Sequence, residues 1–391
     1  MDHPPELADG PLTGIRVVDL TSMISGPVAT MMLADQGADV IKVEPPGGDL
    51  VRAMGANRGG VSATFVSANR SKRSVVLDLK TAAGLDALRR LVRTADVFVQ
   101  NFRPGAIERM GLGEEVLRAE REDLIYVSIS GFGEQGPYAG NRVYDPVIQA
   151  LSGLAAIQAD ADGRPHMVRT IIPDKLTAVT AAQAITAALF ARERSGRGQH
   201  VRLAMLDATV AFLWPEGMTG HTFIGREVSA SRAQFAQDLI FATTDGWITA
   251  GAVSDSEWAG MCRVLERPDW LEDERFASAH ARIVNVAERL RLTGEVLATR
   301  SSAEWLERLA AEGVPCAPVL SRAEVIEHDQ IVANRLIEEH DHPQAGRIRQ
   351  PRPAAGFDAT PARIRGPAPA LGADTEAVLA EIGFDPATLS R

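Results

Sequence analysis

The chain has 391 residues, 45% hydrophobic and 24% charged, a composition of soluble globular proteins with material for more than one domain. Its formal net charge of -10 speaks against nucleic acid or an anionic membrane as the main partner. Two cysteines, Cys262 and Cys316, far apart and without CxxC spacing, exclude a disulfide scaffold and a thiolate zinc motif, and a reducing cytoplasm is the expected compartment. The opening MDHPPELADG lacks a basic region followed by an apolar core, so no signal peptide is expected. The longest apolar run, 178–190, is broken by Thr180, Gln183 and Thr186 and is too short to span a bilayer.

In chain order, GIRVVDL (14–20) predicts a strand, 26–36 a short helix and ADVIKVE (38–44) a second strand. RSVVLDL (73–79), a helix over 81–94, DVFVQNF (96–102), a helical stretch over 104–121 and DLIYVSI (123–129) follow. Short Val- and Ile-rich strands alternating with helices predict a parallel α/β sheet covered on both faces. Ligands in such sheets bind beyond the carboxyl ends of the strands, which directs attention to the loops after Leu20, Glu44, Phe102 and Ser130.

From 174 to 194 apolar residues recur at Leu176, Val179, Ala182, Ile185 and Leu189, the spacing of a helix with one face on a core. A glycine turn and a buried strand are expected after it. Pro173 and Asp174 mark the helix start, where an aspartate reads first as an N-cap. Free N–H groups and the helix dipole there favour the ionised carboxylate, so the same residue is a candidate base or nucleophile.

Other motifs carry less. Gly131, Gly133 and Gly136 have GxGxxG spacing after a strand, but PYAGNR follows where a dinucleotide site needs a helix. His340 and His342, in HDH before a proline, read as an exposed polar loop rather than metal ligands, and no metal site is expected. Basic residues gather at loop ends: Arg70, Lys72 and Arg73 in NRSKRS, and Arg103 and Arg109 in NFRPGAIERMG. A helix start beside guanidinium groups suits phosphates.

Together, GIRVVDLTSMISGPVATMMLADQGADVIKVEPPGGD, NRSKRSVVLDLKT, DVFVQNFRPGAIERMGLG, YVSISGFGEQGPY and ARERSGRGQHVRLAMLDA resemble the class III CoA-transferase family, which includes formyl-CoA and carnitine-CoA transferases and α-methylacyl-CoA racemases. The likeness continues through TTDGWITAGAVSDSEW, EWLERLAAEGVPCAPV and LGADTEAVLAEIG. The resemblance implies a Rossmann-like large α/β domain with a parallel sheet, a smaller inserted α/β domain, and a homodimer of interlocked rings. The large CoA-binding domain is expected over 1–215, the small domain with its linkers over 216–335, and the return to the large domain over 336–391. The change of texture after Trp214 and the proline-rich GRIRQPRPAAGF support those crossings.

By the same resemblance Asp174 is the nucleophile. The positions expected against CoA are Met23, Ile24 and Ser25; Asn69, Arg70, Ser71 and Lys72; Asn101, Phe102 and Arg103; Arg109; and Ser130, Gly131, Phe132 and Gly133. Asp174 attacks the donor thioester, CoA returns to form an aspartyl-CoA thioester, and an acceptor carboxylate takes it over. Covalent catalysis divides a step in which two anions must otherwise meet. Oxyanion donors are expected from the loop 131–133 or from the helix start. CoA enters as substrate and no bound cofactor is implied; the partners are an acyl-CoA, a carboxylic acid and a second copy of the chain. The implied activity is a transferase of sulfur-containing groups.

Departures from the family pattern narrow this. The racemase branch has histidine before aspartate where this chain has Tyr144 before Asp145, and tyrosine is a poor base at neutral pH. The glycine-rich loop of formyl-CoA transferases is missing between Gly225 and Trp247, and IIPDKLTA lacks the glycines that many members place around the aspartate. A racemase or epimerase using Asp174 as base is the second reading, and a CoA-thioester binding protein without turnover the third. Phe235, Trp247 and Trp258 are candidates for the acyl pocket or for core, and His166 and Lys175 flank the proposed nucleophile.

Overall fold

Runs of β-branched residues in the first 204 positions form a six-stranded sheet. Its strands are β1 (Arg16–Leu20), β2 (Asp39–Glu44), β3 (Arg73–Val76), β4 (Val97–Gln100), β5 (Ile125–Ser130) and β6 (His200–Ala204). The computed structural model describes residues 10–160, 162–225 and 238–390. The strands run parallel in the order β3-β2-β1-β4-β5-β6. Chain direction therefore reverses its lateral progress between β1 and β4, and the loops leaving these two strands diverge to open a crevice.

Alternation along each strand sends side chains to two cores. Val18 and Phe98 join Leu88, Leu91 and Tyr126 on one face; Val17 and Val97 join Leu33, Ala181 and Ile185 on the other. On the second face α1 (Ser25–Asp35) packs against a 24-residue helix, Ile172–Ser195. Ala29 and Ala34 meet Ala178, Ala181 and Ala182 there, and small side chains let two helix backbones approach closely. The first face is covered by the helix Ala82–Arg93, capped by Thr81 Oγ1, which accepts the Gly84 N–H at 3.0 Å. Val378, Leu379 and Phe384 complete that core from the far end of the chain.

Three local expectations change. The stretch 104–121 is two short helices, Ala106–Arg109 and Glu114–Glu120, because Gly111, at φ +70°, ends the first in a turn. The strand after the long helix, β6, is the edge of the sheet and only partly buried. His340 and His342 lie on a strand, Ile337–His342, paired antiparallel with Gly346–Pro351. His342 is buried: its ring contacts the Ala368 carbonyl and accepts the N–H groups of Gln344 and Ala345.

The chain forms two compact units, Met1–Pro215 with Arg335–Arg391, and Glu216–Asn334. The second has its own antiparallel sheet of Ile240–Ala242, Trp247–Ala250 and Cys316–Pro318. Its core holds Trp258, Trp270, Phe276, Trp305 and the fully buried Cys262. Trp258 stacks on Trp270 with centroids 6.0 Å apart, so Trp258 is core, whereas Trp247 is 56% exposed. Phe235 lies outside the described residues.

Candidate functional site

The loop leaving β1 rests on charges buried beneath it. Asp19 accepts hydrogen bonds from the Thr21 N–H (3.0 Å), Thr30 Oγ1 (2.7 Å) and Lys72 Nζ (2.9 Å). Burial raises the Asp19 pKa, but Lys72 and Lys42, with the hydroxyls of Thr21 and Thr30, outweigh it and hold the carboxyl well below its usual range. Burial likewise pulls Lys72 down to about 8, against the pull of Asp19. Lys42 Nζ donates to the Thr21 carbonyl and to Asp49, each at 2.9 Å. Asp49 in turn accepts the Met23 N–H at 3.3 Å, holding Met23 in the left-handed region at φ +69°, where a side chain is disfavoured.

Above this loop is a cavity of about 270 Å³. Its walls are Ser22, Met23 and Ser25 after β1; Asn101, Phe102 and Arg103 after β4; Ser130, Gly131 and Phe132 at the end of β5; and Asn141 to Tyr144. Asp174 lines it too. Gly131 is needed as glycine, because a Cβ there would lie 2.4 Å from Val143 Cγ1.

Asp174 is the third residue of the long helix, whose N-cap is Ile171 with no side-chain cap. The N-cap expectation is thus corrected: the helix begins at Ile172 and Pro173, and the aspartate side chain is free for other work. The Asp174 N–H donates to Asp145 Oδ2 at 3.1 Å, so the helix start is occupied by a second carboxylate. Burial, then the charge of Asp145, push the Asp174 pKa up from 3.8 to about 6, against hydrogen bonds from the Ser25 hydroxyl and backbone N–H. Burial and like charge thus outweigh the helix terminus, which by itself favours the ionised form. The carboxylate is still mostly ionised at neutral pH and is more basic than an ordinary aspartate.

The structure therefore brings Met23, Ser25, Asn101, Phe102, Arg103, Ser130, Gly131 and Phe132 together with Asp174. Other expected contact residues lie elsewhere. Ile24 is in an apolar cluster with Val51 and Phe65. Asn69 and Lys72 bond each other at 2.9 Å, and Arg70 pairs with Asp35 at 2.8 Å; all three are buried. Ser71 donates to Asp35 at 3.2 Å. These four buttress α1 and the first loop and do not line the cavity, because NRSKRS enters β3 from the end opposite the crevice. Arg109 closes the short helix Ala106–Arg109 outside the lining. The Gly133 N–H is taken by Ser130 Oγ at 3.1 Å, which removes it as an oxyanion donor. Lys175 donates to Thr170 Oγ1 at 2.8 Å and His166 contacts Asp160 at 2.9 Å; neither lines the cavity.

Sequence reasoning missed Ser22, Asn141 and Arg142 as walls; their signal was position, in a loop after β1 and in the PYAGNR turn after β5. Tyr144, which stands where the racemase branch has histidine, does line the cavity. It also missed a second cavity of about 330 Å³ at the carboxyl ends of β1, β2 and β3. Leu77, Asp78, Leu79 and Lys80 form its far side, and it shares Ser22, Asn101 and Phe102 with the first. A third, of about 500 Å³, shares Phe102, Arg103 and Ser130 and reaches His200 and Glu114.

A family model described as CoA-transferase family III matches residues 12–375. The chain is 35% identical over 354 residues to the succinyl-CoA:glutarate CoA-transferase of Mus musculus, covering 89% of this chain and 80% of that protein. It is 35% identical over 356 residues to the formyl-CoA:oxalate CoA-transferase of Streptomyces coelicolor, covering 86% and 87%. Among solved structures, Rv3272 from Mycobacterium tuberculosis matches with a TM-score of 0.84 and 31% identity over 95% of this chain and 99% of that one. A CaiB/BaiF family protein from Brucella suis matches at 0.83 and 32% over 96% and 100%.

Proposed function

Because the chain belongs to CoA-transferase family III, we propose that it passes CoA from an acyl-CoA to a free carboxylic acid through a thioester on Asp174. The observation that carries this reading is a carboxylate of raised basicity in a cavity at the point where the sheet order reverses, held by Ser25. An Asp174 oxygen attacks the thioester carbonyl carbon, the C–S bond breaks, and CoA thiolate leaves a mixed anhydride. The thiolate then attacks the Asp174 carbonyl, releasing the donor acid and leaving aspartyl-CoA. The acceptor carboxylate reverses the two steps, so the cycle neither gains nor loses a proton and returns Asp174 as carboxylate.

CoA is long, and in this reading it spans, as one trough, two neighbouring cavities whose shared walls are Ser22, Asn101 and Phe102. The thioester lies at Asp174, in the cavity that Arg103 also lines, and the nucleotide end beyond Phe102, over 77–80, with Lys80 supplying positive charge. Relatives are named for succinate, glutarate, mesaconate and oxalate, which supports a short dicarboxylic acid as acceptor. The enzyme is read as a cytoplasmic homodimer of interlocked rings with no resident cofactor. Exposed Phe190, Phe212 and Trp214 support a covered apolar face. Among the described residues no helix is long and apolar enough to cross a membrane.

The test is intact mass of the protein mixed with a panel of acyl-CoAs, with Asp174→Ala beside it. A CoA-sized, hydroxylamine-labile adduct is expected on Asp174 and not on the variant. An adduct of equal yield on Asp174→Ala refutes the assignment, and α-deuterium exchange without CoA exchange points to the racemase instead.

A further inference from the structure

Phe102 borders all three cavities, so its backbone position shapes each of them. Its N–H donates to Gln100 Oε1 at 2.8 Å. That bond settles which end of the Gln100 amide is oxygen, and leaves Nε2 to donate to Ser128 Oγ at 2.9 Å. Ser128 Oγ is 2.8 Å from His200 Nε2. A serine hydroxyl has one proton, and among the described residues His200 Nε2 is the one acceptor placed to take it. The imidazole then carries its proton on Nδ1, which is buried and makes no hydrogen bond, its nearest acid being Glu114 Oε2 at 3.9 Å.

The His200 side chain is 8% exposed, and its ring is set edge-on against Tyr126, with centroids 4.9 Å apart. Burial first, then Arg202, lower its pKa, with Arg118 adding to them and Glu114 and Glu134 opposing. The neutral ring this favours is the form able to accept from Ser128. Nothing in the transfer chemistry uses His200, yet it anchors a line of hydrogen bonds that ends on the loop at the centre of the proposed trough.

We propose that His200, acting through Ser128 and Gln100, is a positioning residue for CoA-thioester binding: it fixes Phe102 and thereby the junction of the three cavities. The inference rests on the transfer reading, and calorimetry with CoA alone separates the two. Glutamine places its Oε1 near the site of histidine Nε2, whereas asparagine stops short of it. His200→Asn and Ser128→Ala are expected to raise the Kd for CoA and the KM for acyl-CoA about five- to tenfold, with kcat nearly unchanged. His200→Gln is expected to stay within about twofold of wild type. A structural role alone would lower thermal stability in both His200 variants without splitting KM from kcat or sparing glutamine. Long-range 1H–15N spectra are expected to show the Nδ1–H tautomer for His200. An Nε2–H tautomer overturns the inference, as does tight CoA binding by His200→Asn. If wild type itself fails to bind CoA, the transfer reading falls and this inference with it.

Discussion

Replacing Asp174 by asparagine keeps the shape of the side chain and removes its charge. In the folded protein the pKa rises from 3.8 to about 6, and at about 1.4 kcal/mol per pH unit that is about 3 kcal/mol of destabilisation when the group is ionised. The carboxylate keeps some contact with water, so about 1–2 kcal/mol is the expected share. A folded-state pKa above the unfolded one means that the folded chain binds the proton more tightly. The cost is therefore absent below about pH 4, grows as the pH rises towards 6, and is complete above it. Asp174→Asn should be more stable than wild type at pH 8 and equal to it at pH 4, while losing transferase activity. Urea midpoints of both proteins at pH 4, 6 and 8 measure this. A difference that does not vary with pH, or a wild type more stable at pH 8, would refute the account of burial and like charge.

Asp145→Asn removes the neighbouring charge and should move the acid limb of kcat/KM for acyl-CoA from about 6 towards lower pH; a limb that stays in place would show that Asp145 does not act on Asp174. Lys72→Met leaves Asp19 charged and buried without its nearest cation, and should cost about 3–5 kcal/mol in denaturation; a change only in the KM for CoA would instead make Lys72 a ligand contact. Lys80→Glu should raise the KM for acyl-CoA severalfold at unchanged melting temperature, and an unaltered KM would move the nucleotide away from 77–80.

The parallel sheet was legible because its strands are short β-branched runs between amphipathic helices, and Val17 and Val18 already declare two buried faces. The long helix was legible from Ala182, Ile185 and Leu189, but its first turn was not. Ile171 caps without a side-chain bond, which leaves no mark in the sequence. The basic cluster Arg70–Lys72 misled for a related reason. Whether a cation meets a ligand or a buried acid depends on partners such as Asp19 and Asp35, which lie 53 and 35 residues away in the chain. Asn141 and Arg142 were passed over as site walls because a polar turn has no periodicity to show which way it folds. The raised pKa of Asp174 was equally hidden, since burial, its main cause, and the Asp145 charge both arise only once the chain has folded and two helix starts have met, at Asp145 and Ile172.

The burial of Cys262 bears on how turnover can be watched. Burial pushes its thiol up to about 11 and raises that of the partly buried Cys316 as well. At pH 8 only about one Cys262 in a thousand is thiolate, the form that attacks disulfide reagents. Free CoA, released during hydrolysis or trapped from the covalent intermediate, carries an ordinary exposed thiol. A chromogenic disulfide added to the native enzyme should thus develop colour in two well-separated phases, the fast one counting CoA and the slow one the protein.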